Sequence, residues 1–296
     1  MNATLSLVVA GGDLRQTHLC RLLLKDGHKV SVFGLERHTF PRGIDVVTNI
    51  GEACKKADAV ILPMPVTQDD STLNGPLSNA PRKLEAIAQA IPPGKMVLCG
   101  ALSEKVRTMF LAYGITPVDY LNREELALLN AIPTCEGAIQ IAMEELPVTI
   151  HGLNVLVSGS GRLGKCISQK LAALCADVTV SARKEKDFAL LYSKGLKYID
   201  TAQLESAVPQ FDLIINTVPS KLYTRSVLSK LREECLLIDL ASKPGGVDLK
   251  SAQDLGIKVI WALSLPGKVA PVTSAEAIKK VIYNVLKEGG GKCGKA

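Results

Sequence analysis

Short runs of consecutive apolar residues alternate, along the second half of the chain, with segments whose apolar positions recur at helical spacing. The runs are residues 155–158, 178–181, 213–216, 236–240 and 259–262. This alternation predicts a parallel sheet with right-handed helical crossovers. The first half repeats the theme less cleanly, with strands expected over 5–10, 29–33, 59–63 and 96–99 and helices over 13–25, 82–90 and 104–113. A further helix is expected over 134–145, started by Pro133 with Thr134 as N-cap. The last opens at the capping-box pattern Thr273-Ser-Ala-Glu276 and runs to about Lys287.

The expected fold is therefore α/β: two Rossmann-like doubly wound parallel-sheet domains with a cleft between them, and a C-terminal helix returning to the first domain. The cleft is the expected chemical site. The expected organisation is an N-terminal α/β domain for substrate or partner over 1–147, a dinucleotide-binding Rossmann domain over 148–288, and a disordered tail over 289–296.

The run at 155–158 feeds directly into Gly159-x-Gly161-x-x-Gly164 and a helical segment over 165–176. The first glycine permits the tight turn, the second lets backbone approach a pyrophosphate, and the third lets the helix pack closely on the strand. Gly159, Ser160, Gly161, Arg162, Leu163 and Gly164 are thus expected to hold the phosphates. The next strand ends in Ser181-Ala-Arg183-Lys184, about 20 residues on, where an NAD-binding chain carries an acid for the ribose 2′-hydroxyl. Hydroxyl, guanidinium and ammonium together suit a 2′-phosphate, so the expected cofactor is NADP. The alternative for Arg183 and Lys184 is a pair of solvated loop charges.

Composition narrows the class. The 296 residues are 47% hydrophobic and 22% charged, as in a globular protein with ample core. The net charge of +6 is unevenly divided: residues 1–150 carry 14 Lys and Arg against 16 Asp and Glu, and residues 151–296 carry 21 against 13. The basic excess thus lies in the half with the phosphate loop, and with aromatics at 4% an anionic cofactor explains it better than nucleic acid. No N-terminal leader pattern and no uninterrupted apolar run of about 20 residues stands out. The expected location is cytoplasmic, without membrane contact. The eight cysteines form no Cys-x-x-Cys pair, so neither a zinc site nor a disulfide framework is expected and no metal is assigned.

Polar residues cluster where the apolar strands end, the side on which ligands bind in open α/β sheets. These are Asn216-Thr217-Val218-Pro219, Asp239-Leu240-Ala-Ser-Lys243-Pro-Gly-Gly246, and Ser264-Leu-Pro266-Gly-Lys268. Asn216, Thr217, Val218, Pro219, Leu240 and Pro266 are expected cofactor contacts, the alternative being loop punctuation. Asp239 reads equally as a buried cap or loop brace. Lys243 and Lys268 could bind carboxylates or move a proton if their acidity is raised. Glu136 is a third acid–base candidate, its alternative being a favourable first-turn charge on the helix dipole. Gly11-Gly12-Asp13 also follows a strand, but its spacing is wrong for a fingerprint and Asp13 would repel phosphate. No second dinucleotide is expected there. Arg15 and Gln16, on the next turn, are instead available to a substrate carboxylate, or else form an ordinary helix start. All four histidines, His18, His28, His38 and His151, precede residue 152, which disfavours a 2-hydroxy-acid dehydrogenase.

Gly11-Gly-Asp-Leu-Arg-Gln16, Ala59-Val-Ile-Leu-Pro63, Asn130-Ala-Ile-Pro-Thr-Cys-Glu-Gly137, Thr149-Ile-His-Gly152, Ile215-Asn-Thr-Val-Pro-Ser220, Ile238-Asp-Leu-Ala-Ser-Lys-Pro-Gly-Gly246 and Pro266-Gly-Lys-Val-Ala-Pro271 form a specific set with the fingerprint. In these stretches the chain resembles, over nearly its whole length, the dipicolinate synthase A subunits of endospore-forming bacteria. The resemblance implies oxidation, with loss of water, of 4-hydroxy-tetrahydrodipicolinate or dihydrodipicolinate to dipicolinate during sporulation, with NADP accepting the hydride. It further implies a cytoplasmic place in the mother cell, a dicarboxylate substrate met by Arg15, Gln16, Asn130 and Thr134, and, for a partner, the flavoprotein-like B subunit; assembly as a homodimer is also open. Glu136, Lys243 or Lys268 would handle the elimination proton. Two alternatives stand beside this: an NADP dehydrogenase of the methylene-tetrahydrofolate or shikimate type, similar in Asn216-Thr-x-Pro219, and a non-catalytic NADPH-binding regulatory module.

Overall fold

The computed structural model describes residues 4–290 and falls into two compact units. Residues up to Asn130, with those from Ala270 onward, form the first; Ala131–Val269 form the second.

The first unit runs through β1 (Ser6–Ala10), α1 (Leu14–Lys25), β2 (Lys29–Phe33), β3 (Ile44–Val46), α2 (Ile50–Lys56), β4 (Ala59–Ile61), α3 (Leu84–Ala90), β5 (Met96–Cys99), α4 (Glu104–Ala112) and β6 (Pro117–Asp119). Its six strands are all parallel, in the order β3-β2-β1-β4-β5-β6. Such a sheet is buried on both faces, and two apolar clusters accordingly cover it. α1 starts on a capping box in which Asp13 accepts from Arg15 N and Gln16 reaches back to Asp13 N.

α5 (Glu124–Glu145) carries the chain into the second unit. It begins ten residues before the expected start at Thr134, and Pro133 lies inside it. Proline deletes one helical hydrogen bond. Burial on both sides outweighs that loss: Leu126 enters a cluster of the first unit, and Cys135, Ala138 and Ala142 are fully buried in one of the second. The two units therefore part inside this helix, whereas the sequence places the boundary at its end. α5 is also the one described helix long and apolar enough to cross a bilayer, yet these side chains are packed in protein.

The second unit comprises β7 (Asn154–Ser158), α6 (Arg162–Ala173), β8 (Asp177–Ala182), α7 (Glu185–Ser193), β9 (Lys197–Asp200), α8 (Leu204–Ala207), β10 (Leu213–Asn216), α9 (Arg225–Leu228), β11 (Leu236–Asp239), α10 (Leu249–Asp254), β12 (Val259–Trp261) and α11 (Leu265–Val269). Its parallel order, β12-β11-β10-β7-β8-β9, repeats that of the first unit when counted from its own first strand. Both units are thus doubly wound, with the strand order reversing beside β1 in one and beside β7 in the other.

α12 (Pro271–Gly290) then rejoins the first unit, where Ala275, Ile278, Val281 and Ile282 share a cluster with Leu19, Cys20 and Leu23 of α1. It starts at Pro271, two residues before the expected cap, because proline suits the first helical position and Ser274 turns its hydroxyl back onto Ala270 O. The expected disordered tail begins at 289, but the helix runs to Gly290; residues 291–296 lie outside the described residues.

Candidate functional site: a dinucleotide crevice in the second unit

The end of β7 turns into α6 through Gly159 and Gly161. Gly159 sits at φ +101° and donates its N–H to Ser181 O of the neighbouring strand at 3.0 Å. A Cβ here would stand 2.6 Å from Thr217 Oγ1, a hydroxyl fixed by its own 2.7 Å bond to Ser158 O. A Cβ on Gly164 would lie 1.9 Å from the Gly159 carbonyl oxygen, so only glycine lets α6 approach this closely. Gly161 differs: a Cβ there meets nothing within 4 Å, and as N-cap it gives the first turn of α6 no side-chain acceptor. Open space ahead of unfilled helix amides is the setting in which an anionic group binds.

A crevice of about 280 Å³ opens at this turn. Gly159, Ser160, Gly161, Ser181, Arg183, Lys184, Thr217, Val218 and Pro219, all among the expected cofactor contacts, line it. Arg183 and Lys184 are exposed, whereas Ser181 is buried and its Oγ has no hydrogen-bond partner. A buried hydroxyl left unpaired is costly, and a ligand oxygen at the crevice wall would relieve it. These features fit a phosphorylated dinucleotide. Asp187, Thr201 and Leu222 also line the crevice, and no local pattern in the sequence marks them. The first turn of α7 brings Asp187 in, its N–H bonded to Lys184 O, and Thr201 is anchored by Oγ1 to Ala182 O at 3.0 Å. Only the fold, by returning β9 to β8, brings Thr201 near the fingerprint.

Beyond the crevice, the loops after β10 and β11 are fastened together. Asn216, expected to touch the cofactor, is fully buried, and its side chain is engaged by Asp239 Oδ1 at 2.8 Å and by the backbone of Val218. It braces the loop instead. Leu240 is also buried, its N–H on Asn216 O. Lys243 and Lys268 lie on the segments that follow β11 and β12, and both are exposed. Pro266 lies in α11, which packs so closely on α5 that a Cβ on Gly137 would come within 3.2 Å of Leu265 Cβ.

Other expected site residues lie elsewhere. Glu136 is exposed on α5 and pairs with Lys170 Nζ at 2.9 Å, which holds that ammonium's pKa above its ordinary value. Lys170 lies eight residues along α6 from Arg162, which at 1.5 Å per residue puts it about 12 Å from the glycine turn. Glu136 therefore does not join that crevice. Asn130 and Thr134 stand one helical turn apart on α5, both half-buried, and Thr134 is a helix-interior residue rather than a cap. Cys135 is fully buried and its thiol is pushed up by desolvation, the state of an inert core cysteine.

In the first unit the equivalent crevice is filled by the chain itself. Gly12 N donates to Asn74 O at 2.8 Å, and a Cβ on Gly11 would lie 2.6 Å from Leu73 Cδ2. Glu36, just past β2, receives Ser78 Oγ, Asn79 N and Arg82 Nη2. The loop after β4 thus occupies the space a dinucleotide would need. Arg15 is 5% exposed and forks onto Asp13 while its Nη2 donates to Met64 O at 2.5 Å, so it braces this loop. Gln16 is buried beside it and its Nε2 has no partner.

Comparison with known proteins agrees with this arrangement. The family model for the N-terminal domain of the dipicolinate synthase A subunit matches residues 6–121. The chain is 34% identical over 288 residues to the A subunit of dipicolinate synthase from Bacillus subtilis (strain 168), covering 96% of each. The crystal structure of the Bacillus halodurans A subunit of dipicolinate synthase superposes with a TM-score of 0.89 at 32% identity, over 96% of this chain and 99% of that one. A shikimate dehydrogenase (NADP(+)) of Pyrococcus abyssi (strain GE5 / Orsay) is 28% identical over 160 residues, 48% of this chain and 60% of its own length.

Proposed function

Because this chain belongs to the family of dipicolinate synthase A subunits, we propose that it oxidises 4-hydroxy-tetrahydrodipicolinate, through dihydrodipicolinate, to dipicolinate with NADP as hydride acceptor. The observation that carries this reading is the crevice of the second unit, where the orphaned Ser181 hydroxyl lies beside Arg183 and Lys184. A ribose 2′-phosphate supplies acceptors for all three, and two shikimate dehydrogenases among the similar proteins are named as NADP(+) enzymes.

The reaction loses one water from the 4-hydroxy ring and then one hydride and one proton, which leaves an aromatic pyridine. Bound NADP supplies the hydride-accepting carbon. Aromatisation favours the oxidation, so the protein chiefly has to hold the ring in place and assist the elimination. A substrate with two carboxylates needs cations at the ends of β11 and β12, and Lys243 and Lys268 are cations on the segments that follow those strands. Lys243 handles the elimination proton in this reading, in preference to Glu136, which is engaged by Lys170 away from the crevice.

That these relatives are named for one component of a synthase supports a B subunit for a partner, and the reading puts both in the mother cell of a sporulating bacterium. The test is formation of dipicolinate, followed by its ultraviolet absorbance, from 4-hydroxy-tetrahydrodipicolinate made in situ, with NADP or NAD and with or without the B subunit. Product with NADP and the partner is the expected result. No product under any condition, from protein that binds NADPH, sends the substrate assignment back to the shikimate and folate types.

A further inference from the structure

Asp239 and Asn216 end adjacent strands at the same register and are both fully or almost fully buried. Asp239 Oδ1 accepts from Asn216 Nδ2 at 2.8 Å and Ala241 N at 3.0 Å, and Oδ2 accepts from Gly246 N at 2.8 Å. Asn216 closes the other side, taking Val218 N on Oδ1 and giving Nδ2 to Val218 O. The network reaches further. Gly246 O accepts from Leu222 N and Tyr223 N, each at 3.0 Å, and Ala241 O accepts from Trp261 Nε1 at 2.9 Å. One carboxylate therefore ties the loops after β10 and β11 together, and through Ala241 O this body is fastened to the end of β12.

Among the described residues no cation lies within ion-pair distance of Asp239. A buried carboxylate neutralised only by amide donors costs stability compared with an apolar residue. Two glycines fit around it with no room to spare: a Cβ on Gly246 would lie 2.1 Å from Asn216 Nδ2, and one on Gly245 3.1 Å from Asp239 Oδ2. A costly, closely fitted arrangement placed on the ligand side of a doubly wound sheet belongs to function rather than to stability.

We infer that Asp239, acting through Asn216, is a positioning residue that sets the loops holding the nicotinamide half of the cofactor. This rests on the dinucleotide reading of the crevice. The glycine turn is tied to the end of β8 by Gly159 N on Ser181 O, a bond outside the Asp239 network, and Arg183 and Lys184 lie on that side. Disturbing the carboxylate should therefore release one end of the ligand only.

The experiment uses the full chain and two ligands: NADPH, and 2′,5′-ADP, which lacks the nicotinamide half. Binding is followed by emission of Trp261, the one tryptophan in the chain. In Asp239→Asn an amide N–H replaces an acceptor facing a backbone donor, and NADPH affinity is expected to fall about tenfold to a hundredfold. Affinity for 2′,5′-ADP is expected to stay within about twofold. Gly246→Ala, which leaves the carboxylate in place and displaces the loop, carries the same expectation where Asp239→Asn does not fold. Equal losses for both ligands, or no loss for either, overturn the inference. Wild-type protein that binds neither ligand overturns the cofactor reading itself.

Discussion

The carbonyl oxygen of Gly159 lies 1.9 Å from where a Cβ on Gly164 would stand, whereas a Cβ on Gly161 would meet nothing within 4 Å. The same motif thus contains one glycine that the fold requires and one that it does not, which the dinucleotide reading assigns to the ligand. Gly164→Ala must push α6 off β7 and is expected to cost about 3 kcal/mol or more, read from the urea midpoint. Gly161→Ala, with ordinary negative φ and open surroundings, is expected to change stability by less than about 0.5 kcal/mol while weakening NADPH binding. Equal stability losses in the two variants would contradict this division.

Arg183 is exposed at the crevice next to the unpaired Ser181 hydroxyl. In the NADP reading, Arg183→Ala removes a charge-assisted bond to the 2′-phosphate and weakens NADPH about tenfold or more, with NADH changed less than about twofold. Titrating both dinucleotides against both proteins checks it. A parallel loss for NADH would mean that Arg183 contacts something common to the two, and Asp187, the acid in the same crevice, would then be the candidate for a 2′-hydroxyl.

Most of the fold was legible because both sheets are parallel and their central strands are unbroken apolar runs. The strands that escaped are edges or near-edges: β3 and β6 have three residues each, and β9, Lys-Tyr-Ile-Asp, is largely exposed. The glycine motif was legible because each glycine's role is local. The roles of Asn216 and Arg15 were not, since both look like polar residues offered to a ligand. Asn216 is taken up by an acid 23 residues away and Arg15 by a carbonyl 49 residues away, separations that only the tertiary structure closes. Pro133 misled for the opposite reason: a local rule gave way to burial on both sides of it.

Asp26 Oδ2, just past α1, accepts from Lys279 Nζ and Tyr283 Oη of α12, each at 2.7 Å. The lysine bond holds the Asp26 carboxyl below its ordinary 3.8. A depressed carboxyl adds stability that is fully present above the unfolded value and is lost as the pH falls through the folded one. Both side chains are partly exposed, so solvent screening keeps the effect small. Asp26→Asn is expected to lower unfolding free energy by about 0.5–1 kcal/mol at pH 7 and by nothing measurable near pH 2, where both proteins carry a neutral group. A difference that persists unchanged into acid would show that the pair contributes packing rather than charge.

The self-filled crevice of the first unit sets the number of cofactor sites. A nucleotide at Gly11-Gly12 would have to displace Asn74 from Gly12 N, Leu73 from Gly11, and Ser78, Asn79 and Arg82 from Glu36. Each broken bond leaves a partly buried polar group to be satisfied again, at about 1 kcal/mol or more apiece. Against several such losses a phosphate gains little from a helix start already capped by Asp13. Calorimetric titration of NADPH is therefore expected to saturate at one equivalent per chain, and Gly161→Ala to weaken that single transition. A second equivalent, surviving in Gly161→Ala and lost when Glu36→Ala loosens the loop, would show that the first unit opens to ligand.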